Sequence, residues 1–331
     1  MRKVLWGLIA LLLVLVPSCS GQPQPPVARV DKVRLVGTIG PLSIPLAYMV
    51  EHNSLASVAE KTTLDIWANP TQLQAIVAGG QGDFVSLPTN SAAIFYNKGI
   101  SLQLLDSSVW NILYLVTTDT SIRSVSDLKG KRVVVPYQGA VPDAIFQVIL
   151  KRQGIDPKKD IDIFYAPDPV QGAQLLLAGQ DNYALLSEPS ATSVILKAKD
   201  AGKTLVRALN MQTEWRKATG ASSSTPIAGT IVLGALKDRP DIVKVFNTEY
   251  EKAVKWMLAN PKEAGEVGAR VLAEQGFSAA ALTESMQSVD WKVVPATDAQ
   301  PDLQTFFEAL AQVSPNFIGG KLPDDGFYRS N

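Results

Sequence analysis

The chain contains Arg132-Val-Val-Val-Pro-Tyr-Gln-Gly139 (RVVVPYQG), and a modified form of this stretch occurs earlier as Val33-Arg-Leu-Val-Gly-Thr-Ile-Gly40 (VRLVGTIG). In each, a short run rich in apolar residues ends at a glycine turn, and apolar residues at helical spacing follow. A second landmark repeats this spacing, because Gly79 and Gly179 follow the two turn glycines by 39 and 40 residues. Matched order and matched spacing predict a structural repeat.

Each half alternates short apolar strands with helices. In the first half Leu42, Leu46 and Val50 form a helical stripe, and in the second half Pro142 suits the first turn of a helix. Strands and helices that alternate in this way indicate parallel sheets covered by helices on both faces. The sequence therefore predicts an α/β protein made of two doubly wound lobes.

Two apolar segments are long enough to connect the lobes. Trp110–Thr117 (WNILYLVT) predicts the crossing from the first lobe to the second, and Ile227–Leu233 (IAGTIVL) predicts the return. Helical patterns dominate the rest of the chain and would complete the first lobe. We expect lobe 1 to comprise residues 32–116 and 228–331 and lobe 2 to comprise residues 117–227, with a hinged cleft between them as in a clamshell.

The N-terminal region has the pattern of an export signal. Arg2 and Lys3 precede an apolar run, residues 4–16, which is shorter than the ~20 residues that a membrane-spanning helix needs. Cys19 is the only cysteine, and with the residues before it resembles a bacterial lipoprotein box. We therefore predict a signal peptide over residues 1–19 that ends at a lipidated Cys19. The alternative is an unmodified thiol after an ordinary cleavage site.

Residues 20–31 (SGQPQPPVARVD) are polar and rich in proline, which favours an extended tether. Signal, lipid anchor and tether together predict an extracytoplasmic protein, in the periplasm or at the cell surface, that is held to a membrane by its lipid.

Composition excludes several classes of function. The formal net charge is zero, so there is no electrostatic reason to expect nucleic acid as a partner. One histidine and one cysteine make a zinc or copper site a poor expectation, and we predict no metal and no cofactor. A Ser-His-Asp triad would have to use His52, which lies in a polar segment typical of a solvated helix end.

Ligands of open parallel sheets bind beyond the carboxyl ends of the strands. This rule selects five loops, each of which follows a predicted strand or lies at the crossing between lobes. The candidate ligand-binding residues in these loops are Thr38, Ile39, Gly40, Pro41, Thr89, Asn90, Trp110, Asn111, Tyr137, Gln138, Gly139, Ala140 and Glu188. We predict no catalytic residue.

Each candidate also has a purely structural interpretation. Thr89 and Asn90 can cap the following helix, and the glycines can simply make tight turns. Trp110 and Tyr137 can belong to the core, or they can offer a ligand an aromatic face. Glu188 can favour the positive end of the next helix, or it can accept hydrogen bonds from an amine or an amino-heterocycle.

The charges of these loops bear on the ligand. Free N–H groups at helix starts would suit an anion or a carbonyl-like acceptor. The five loops contain no arginine or lysine, however, and Asp143 lies just after one of them. Together with Glu188 and Trp110, this favours a neutral or amine-bearing heterocycle over a sulfonate or a similar organic acid.

Three segments of the second half carry a family resemblance. They are Leu128-Lys-Gly-Lys-Arg-Val-Val-Val-Pro-Tyr-Gln-Gly-Ala140, the leucine run that ends at Asp181, and Ser187-Glu-Pro-Ser-Ala191. These segments resemble the solute-binding proteins of ABC importers, and in particular the NMT1/THI5-like group of nitrate, sulfonate, taurine and pyrimidine-precursor binders (SsuA-like). The resemblance runs over roughly residues 33–258.

The resemblance implies a type II periplasmic-binding-protein fold whose cleft closes on a small organic molecule, such as a pyrimidine-like heterocycle or a sulfonate. It also implies delivery of that molecule to ABC permease and ATPase subunits. We expect a monomer that binds and does not catalyse. Two alternatives are a ligand-sensing lipoprotein of the same fold that does not transport, and a secreted hydrolase, which would depend on His52.

Overall fold

The computed structural model describes residues 28–220 and 225–330. The predicted signal peptide, Cys19 and most of the predicted tether lie outside these residues, so export and lipidation stay predictions from the sequence.

The described residues form strands and helices in regular alternation through most of the chain. The strands are β1 (Val30–Thr38), β2 (Ala59–Trp67), β3 (Phe84–Pro88), β4 (Leu102–Asn111), β5 (Leu113–Thr117), β6 (Arg132–Pro136), β7 (Asp162–Ala166), β8 (Tyr183–Ser187), β9 (Val206–Asn210), β10 (Ala228–Leu233) and β11 (Asp290–Pro295). The α-helices are α1 (Ser43–Glu51), α2 (Pro70–Ala78), α3 (Thr89–Asn97), α4 (Val141–Arg152), α5 (Pro169–Ala178), α6 (Ser190–Asp200), α7 (Met211–Thr219), α8 (Pro240–Ala259), α9 (Pro261–Val271), α10 (Ala279–Ser285) and α11 (Ala296–Val313).

Two mixed sheets form the centres of two lobes, as the predicted α/β clamshell requires. The first sheet has the order β2-β1-β3-β10-β4-β11, and the second has the order β7-β6-β8-β5-β9. The repeat is visible in this topology, because β2-β1-β3 and β7-β6-β8 are both parallel and are linked by helices in the same sequence.

The sheets differ from the expected parallel arrangement at their other edges. In the first sheet β10 pairs antiparallel with β3 and with β4, and in the second sheet β5 pairs antiparallel with β8 and with β9. The reason is the connection between the lobes: β10 and β5 each come from the opposite lobe and join the sheet from its far end. The predicted crossing Trp110–Thr117 is divided at Ile112, where β4 of the first sheet gives way to β5 of the second.

Local sequence explains where the helices next to the cleft begin. Asn69 and Asp168 precede α2 and α5, and each accepts a hydrogen bond from the N–H three residues later while proline occupies the first helical position. The loops after β2 and β7, each at one edge of its sheet, are fixed in this way, and both line the space between the lobes.

No helix within residues 28–220 and 225–330 is long and apolar enough to cross a membrane.

Candidate ligand-binding cleft

A cavity of about 700 Å³ lies between the two lobes. It is lined from both sides by loops that follow strands: residues 38–42, 67–70 and 87–88 from the first lobe, and residues 137, 140–142 and 167–170 from the second. Its size falls within the range of about 300–1,000 Å³ that is usual for small-molecule sites. Because both lobes supply its walls, a molecule held there would contact both.

Most of the cavity wall is apolar. Trp67, Leu73 and Ile112 are buried side chains of this wall. The indole N–H of Trp67 donates to the carbonyl oxygen of Ser86 at 3.0 Å, which fixes the ring at the end of β2. The cavity therefore suits a molecule with an apolar or flat body, and polar groups at a few positions would set its orientation.

The structure brings ten of the thirteen candidate residues to the cleft. The seven that line the main cavity are Thr38, Ile39, Gly40, Pro41, Tyr137, Ala140 and Glu188. A second cavity of about 520 Å³ adjoins the first, shares Pro70, Leu73, Ser91 and Ala140 with it, and is lined by Asn90, Gln138 and Gly139.

Thr89, Trp110 and Asn111 line neither of these cavities. The hydroxyl of Thr89 donates to the carbonyl oxygen of Pro226 at 2.5 Å, and the indole N–H of Trp110 donates to that of Lys292 at 2.7 Å. These two side chains join strands and loops of the protein itself: Trp110 is a buried residue, as its structural interpretation allows, and Thr89 lies within α3 without capping it. Asn111 is buried and donates to the hydroxyl of Tyr114 at 3.2 Å.

Glu188 lines the cavity, but its carboxylate is already engaged by the protein. Oε1 accepts from Nε of Arg207 at 2.9 Å, and Oε2 accepts from the N–H and hydroxyl of Thr192 at 3.0 and 2.6 Å. Burial raises the pKa of Glu188, and the charge of Arg207 and the hydrogen bonds from Thr192 and Arg207 oppose that rise. Sequence reasoning missed Arg207, because it lies on β9, far along the chain from the loop it supports.

Tyr137 links the lobes. Its backbone has φ +57°, in the left-handed region that non-glycine residues rarely adopt. Its hydroxyl donates to the carbonyl oxygen of Ala68 in the first lobe at 3.1 Å, and burial raises the pKa of that hydroxyl. The loop after β6 therefore reaches across the cavity and contacts the loop after β2.

Three parts of the cavity wall were not among the candidates. They are residues 67–70 after β2, residues 167–170 after β7, and residues 274–276 near the end of α9. The first two could have been found, because they follow predicted strands and carry helix-start signals. The third depends on how the C-terminal helices pack, and no local pattern indicates it.

The charged side chains of the main cavity are mostly acidic. Asp168, Glu188 and Glu274 line it, and Lys197 is the basic residue among the lining positions. Within the described part of the chain, no group of three or more histidine, cysteine or carboxylate side chains is arranged to hold a metal ion.

Comparison with known proteins agrees with this fold. Residues 63–161 match the family model described as NMT1/THI5 like. No curated protein matches the chain in sequence.

Several solved structures share the architecture. An ABC transporter protein from Parabacteroides distasonis has a TM-score of 0.74 and 22% identity, with 91% of this chain and 99% of that chain covered. The periplasmic aliphatic sulphonate binding protein SsuA from Escherichia coli has a TM-score of 0.69 and 14% identity, with 91% and 92% covered. The periplasmic nitrate-binding protein NrtA from Synechocystis PCC 6803 has a TM-score of 0.59 and 15% identity, with 73% and 66% covered. The resemblance seen in the motifs of the second half is thus confirmed: the chain matches the NMT1/THI5-like family model over residues 63–161 and has the two-lobed fold of periplasmic binding proteins.

Proposed function

We propose that this protein is the extracytoplasmic solute-binding component of an ABC importer, which captures a small organic molecule between its lobes and delivers it to permease and ATPase subunits. The observation that carries the proposal is the cavity of about 700 Å³ whose walls come from both lobes. Structural neighbours named for sulphonate and nitrate binding support the assignment. The ligand class left open by the sequence is a pyrimidine-like heterocycle or a sulfonate.

Lobe closure is the mechanism that this geometry supports. A bound molecule touches both lobes only in the closed form, so binding shifts the population toward that form. A shift from mostly open to mostly closed requires about 5 kcal/mol of difference in binding free energy. Contacts between the lobes, such as that of Tyr137 with Ala68, add to the stability of the closed form.

The cellular location and the oligomeric state of the protein belong to the same proposal. Lipidation of Cys19 would hold the protein at the outer side of a membrane, as a monomer beside its permease. Substitution Cys19→Ser tests this point: the variant is expected in the medium or the soluble periplasmic fraction, and the parent protein is expected with membranes. Equal membrane association of the two would contradict the lipid anchor.

A binding protein fits the cleft better than a hydrolase does. His52, the only histidine, is exposed at the C-terminal end of α1 and stacks on Tyr48 with ring centroids 4.0 Å apart. The N-terminal end of the same nine-residue helix adjoins the cavity, so the length of the helix, about 13 Å, separates the imidazole from it.

The experiment that tests the function is a ligand screen by thermal unfolding, with sulfonates, nitrate, pyrimidines, flavins and amino acids as the panel. A ligand at 100 times its Kd stabilises the native state by about 2.7 kcal/mol, which moves the midpoint by several degrees. The compound that binds is then added, together with the protein, to membranes that contain the ABC permease. Ligand-dependent cross-linking to that permease supports import, and binding without cross-linking favours the sensing lipoprotein.

A further inference from the structure

In the second lobe, two helices that begin at the cleft each have one first-turn N–H group bonded to a carboxylate of the protein. At α5, the N–H of Gln171 donates to Oδ1 of Asp168 at 2.8 Å. At α6, the N–H of Thr192 donates to Oε2 of Glu188 at 3.0 Å. Both carboxylates line the cavity.

At the third helix, α4, a carboxylate of the first turn bonds an N–H of the preceding loop and not an N–H of the helix itself. Asp143 lies in its first turn, and its Oδ2 accepts from the N–H of Gly139 at 2.9 Å. Its Oδ1 accepts from the side-chain amide of Gln147 at 2.8 Å and from the hydroxyl of Tyr165 at 3.1 Å. Asp143 is buried, so this arrangement belongs to the fold of the loop and is not a flexible surface contact.

This arrangement reverses the electrostatics that an anion site needs. A helix N-terminus carries roughly half a positive charge, and a carboxylate lies at each of these three helix ends, that of Glu188 being paired with Arg207. An oxyanion in the cleft would find the N–H groups of Gln171 and Thr192 already bonded, and the carboxylate of Asp168 on the cavity wall would repel it. The N–H groups of Gln171 and Thr192 are therefore not among the free donors that the sequence-based expectation assigned to a ligand.

In the first lobe, one N–H group is likewise bonded within the protein at each of three helix starts that border the cleft. Asn69 accepts from the N–H of Gln72 at 2.9 Å at the start of α2. At the start of α1, the N–H of Ser43 donates to the carbonyl oxygen of Gly40 at 3.2 Å, and Pro45 has no N–H to offer. At the start of α3, the N–H of Thr89 donates to the carbonyl oxygen of Ile227 at 3.0 Å.

The basic side chains near the cavity do not offset the negative charge of its carboxylates. Arg207 is paired with Glu188 at 2.8 Å, and it is not among the lining residues. Lys197 is exposed at the edge of the cavity, and the first lobe places Glu274, also exposed, on the same cavity wall.

We infer that the cleft rejects oxyanions and takes an organic ligand that presents N–H donors, either neutral or singly positive, with a flat apolar body. This inference rests on the proposed function as a solute receptor and gives that receptor its ligand class. The ligand chemistry differs from that of the neighbours named for sulphonate and nitrate. The apolar wall accepts the body of such a molecule, and the acidic lining stabilises its donors.

Three probes of one shape test the charge preference: benzenesulfonate, benzamidine and 4-aminopyrimidine. Their binding to the full-length protein is measured by titration calorimetry, with the fluorescence of tryptophan as a second signal because Trp67 lines the cavity. We expect benzamidine or 4-aminopyrimidine to bind at least tenfold more tightly than benzenesulfonate.

Asp168→Asn isolates the charge, because asparagine caps a helix as well as aspartate does. This variant is expected to bind benzenesulfonate about threefold to tenfold more tightly and benzamidine more weakly by a similar factor. The matched control is Asp241→Asn, which neutralises a first-turn carboxylate of α8 that does not line the cleft. The control is expected to change neither affinity by more than about twofold.

Two results would overturn the inference. One is tighter binding of benzenesulfonate than of the other two probes, and the other is binding of none of them. Neither result bears on the proposed function, which is tested separately by the thermal unfolding screen with its wider panel of compounds. Failure of every compound in that screen would count against the receptor itself.

Discussion

The hydroxyl of Tyr137 in the second lobe donates to the carbonyl oxygen of Ala68 in the first lobe at 3.1 Å. The same residue has φ +57°, so a strained backbone carries this contact between the lobes. A residue is kept in the left-handed region only where the surrounding structure holds it there. The relationship makes Tyr137 a direct contact between the two lobes, and we expect it to favour closure of the cleft.

Removing the hydroxyl should weaken closure without harming the lobes. Tyr137→Phe loses one hydrogen bond of about 0.5–1.5 kcal/mol, which corresponds to a Kd for the cognate ligand about twofold to tenfold higher. Calorimetry with the ligand found in the screen measures the change. The matched control is Tyr96→Phe, whose hydroxyl donates to Asp324 within the first lobe. Equal losses in both variants would contradict this role of Tyr137 in closure.

The fold was largely predictable because the strands and helices of each half of the repeat show as local patterns of apolar residues, glycine and proline. The predicted helical stripe of Leu42, Leu46 and Val50 forms as α1, and Pro142 occupies the first turn of α4 as expected. The direction of strand pairing was not predictable. Whether β10 inserts antiparallel beside β3 depends on where the chain returns from the other lobe, and no neighbouring residue determines that.

The candidate site was predictable to the extent that the loops after central strands are a property of the topology. Thr38–Pro41 and Tyr137 were found by that rule, and both reach the cavity. The pairing of Glu188 with Arg207 and the position of Glu274 were not found, because each depends on tertiary packing. Hydrogen bonds from Arg207 on β9 and from Thr192 on α6 make Glu188 an occupied acceptor and not a free one.

The pair formed by Glu188 and Arg207 should stabilise the second lobe more than a surface pair does. The side chain of Glu188 is fully buried and that of Arg207 is 23% exposed. Removal of either partner therefore leaves a poorly solvated charge without its counter-ion. A double-mutant cycle with Glu188→Gln and Arg207→Met, followed by urea unfolding, is expected to give a coupling energy of about 1–3 kcal/mol.

The exposed pair of Arg270 and Glu51 is the reference for that cycle, since its side chains are 58% and 38% exposed. A cycle at that pair should give about 0–1 kcal/mol. If both cycles gave the same small coupling, Glu188 would be available to a ligand after all.

Asp106 should make stability depend on pH. It lies beneath α8 with one oxygen, Oδ1, that has no partner within the described residues. Burial raises its pKa to about 7, although hydrogen bonds from Ser108 and Thr230 oppose the rise. The folded state therefore holds a proton that the unfolded state releases near pH 4. Its contribution is complete below pH 4 and is lost as the pH rises to about 7, by up to about 4 kcal/mol.

Asp106→Asn should remove this dependence, because the amide cannot ionise. Urea unfolding at pH 5, 7 and 9 is expected to show a free energy of unfolding that falls with pH in the parent protein and falls much less in the variant. Asp241→Asn is the control, since Arg239 lowers the pKa of Asp241 and its titration lies below this range. Parallel pH curves for the parent protein and Asp106→Asn would show that Asp106 does not titrate as its burial requires.

The two turn glycines of the repeat should respond differently to alanine. Gly139 has φ +78°, so alanine there is strained by about 1–2 kcal/mol, and unfolding measurements should show that loss. A Cβ at Gly40 would meet only the Cγ2 of Thr38, at the ordinary distance of 3.7 Å, so Gly40→Ala should leave stability unchanged. Because Gly40 lines the cavity, the added methyl group should instead raise the ligand Kd by about fivefold or more. A Gly40→Ala protein that binds the ligand as tightly as its parent would place the ligand away from the turn after β1.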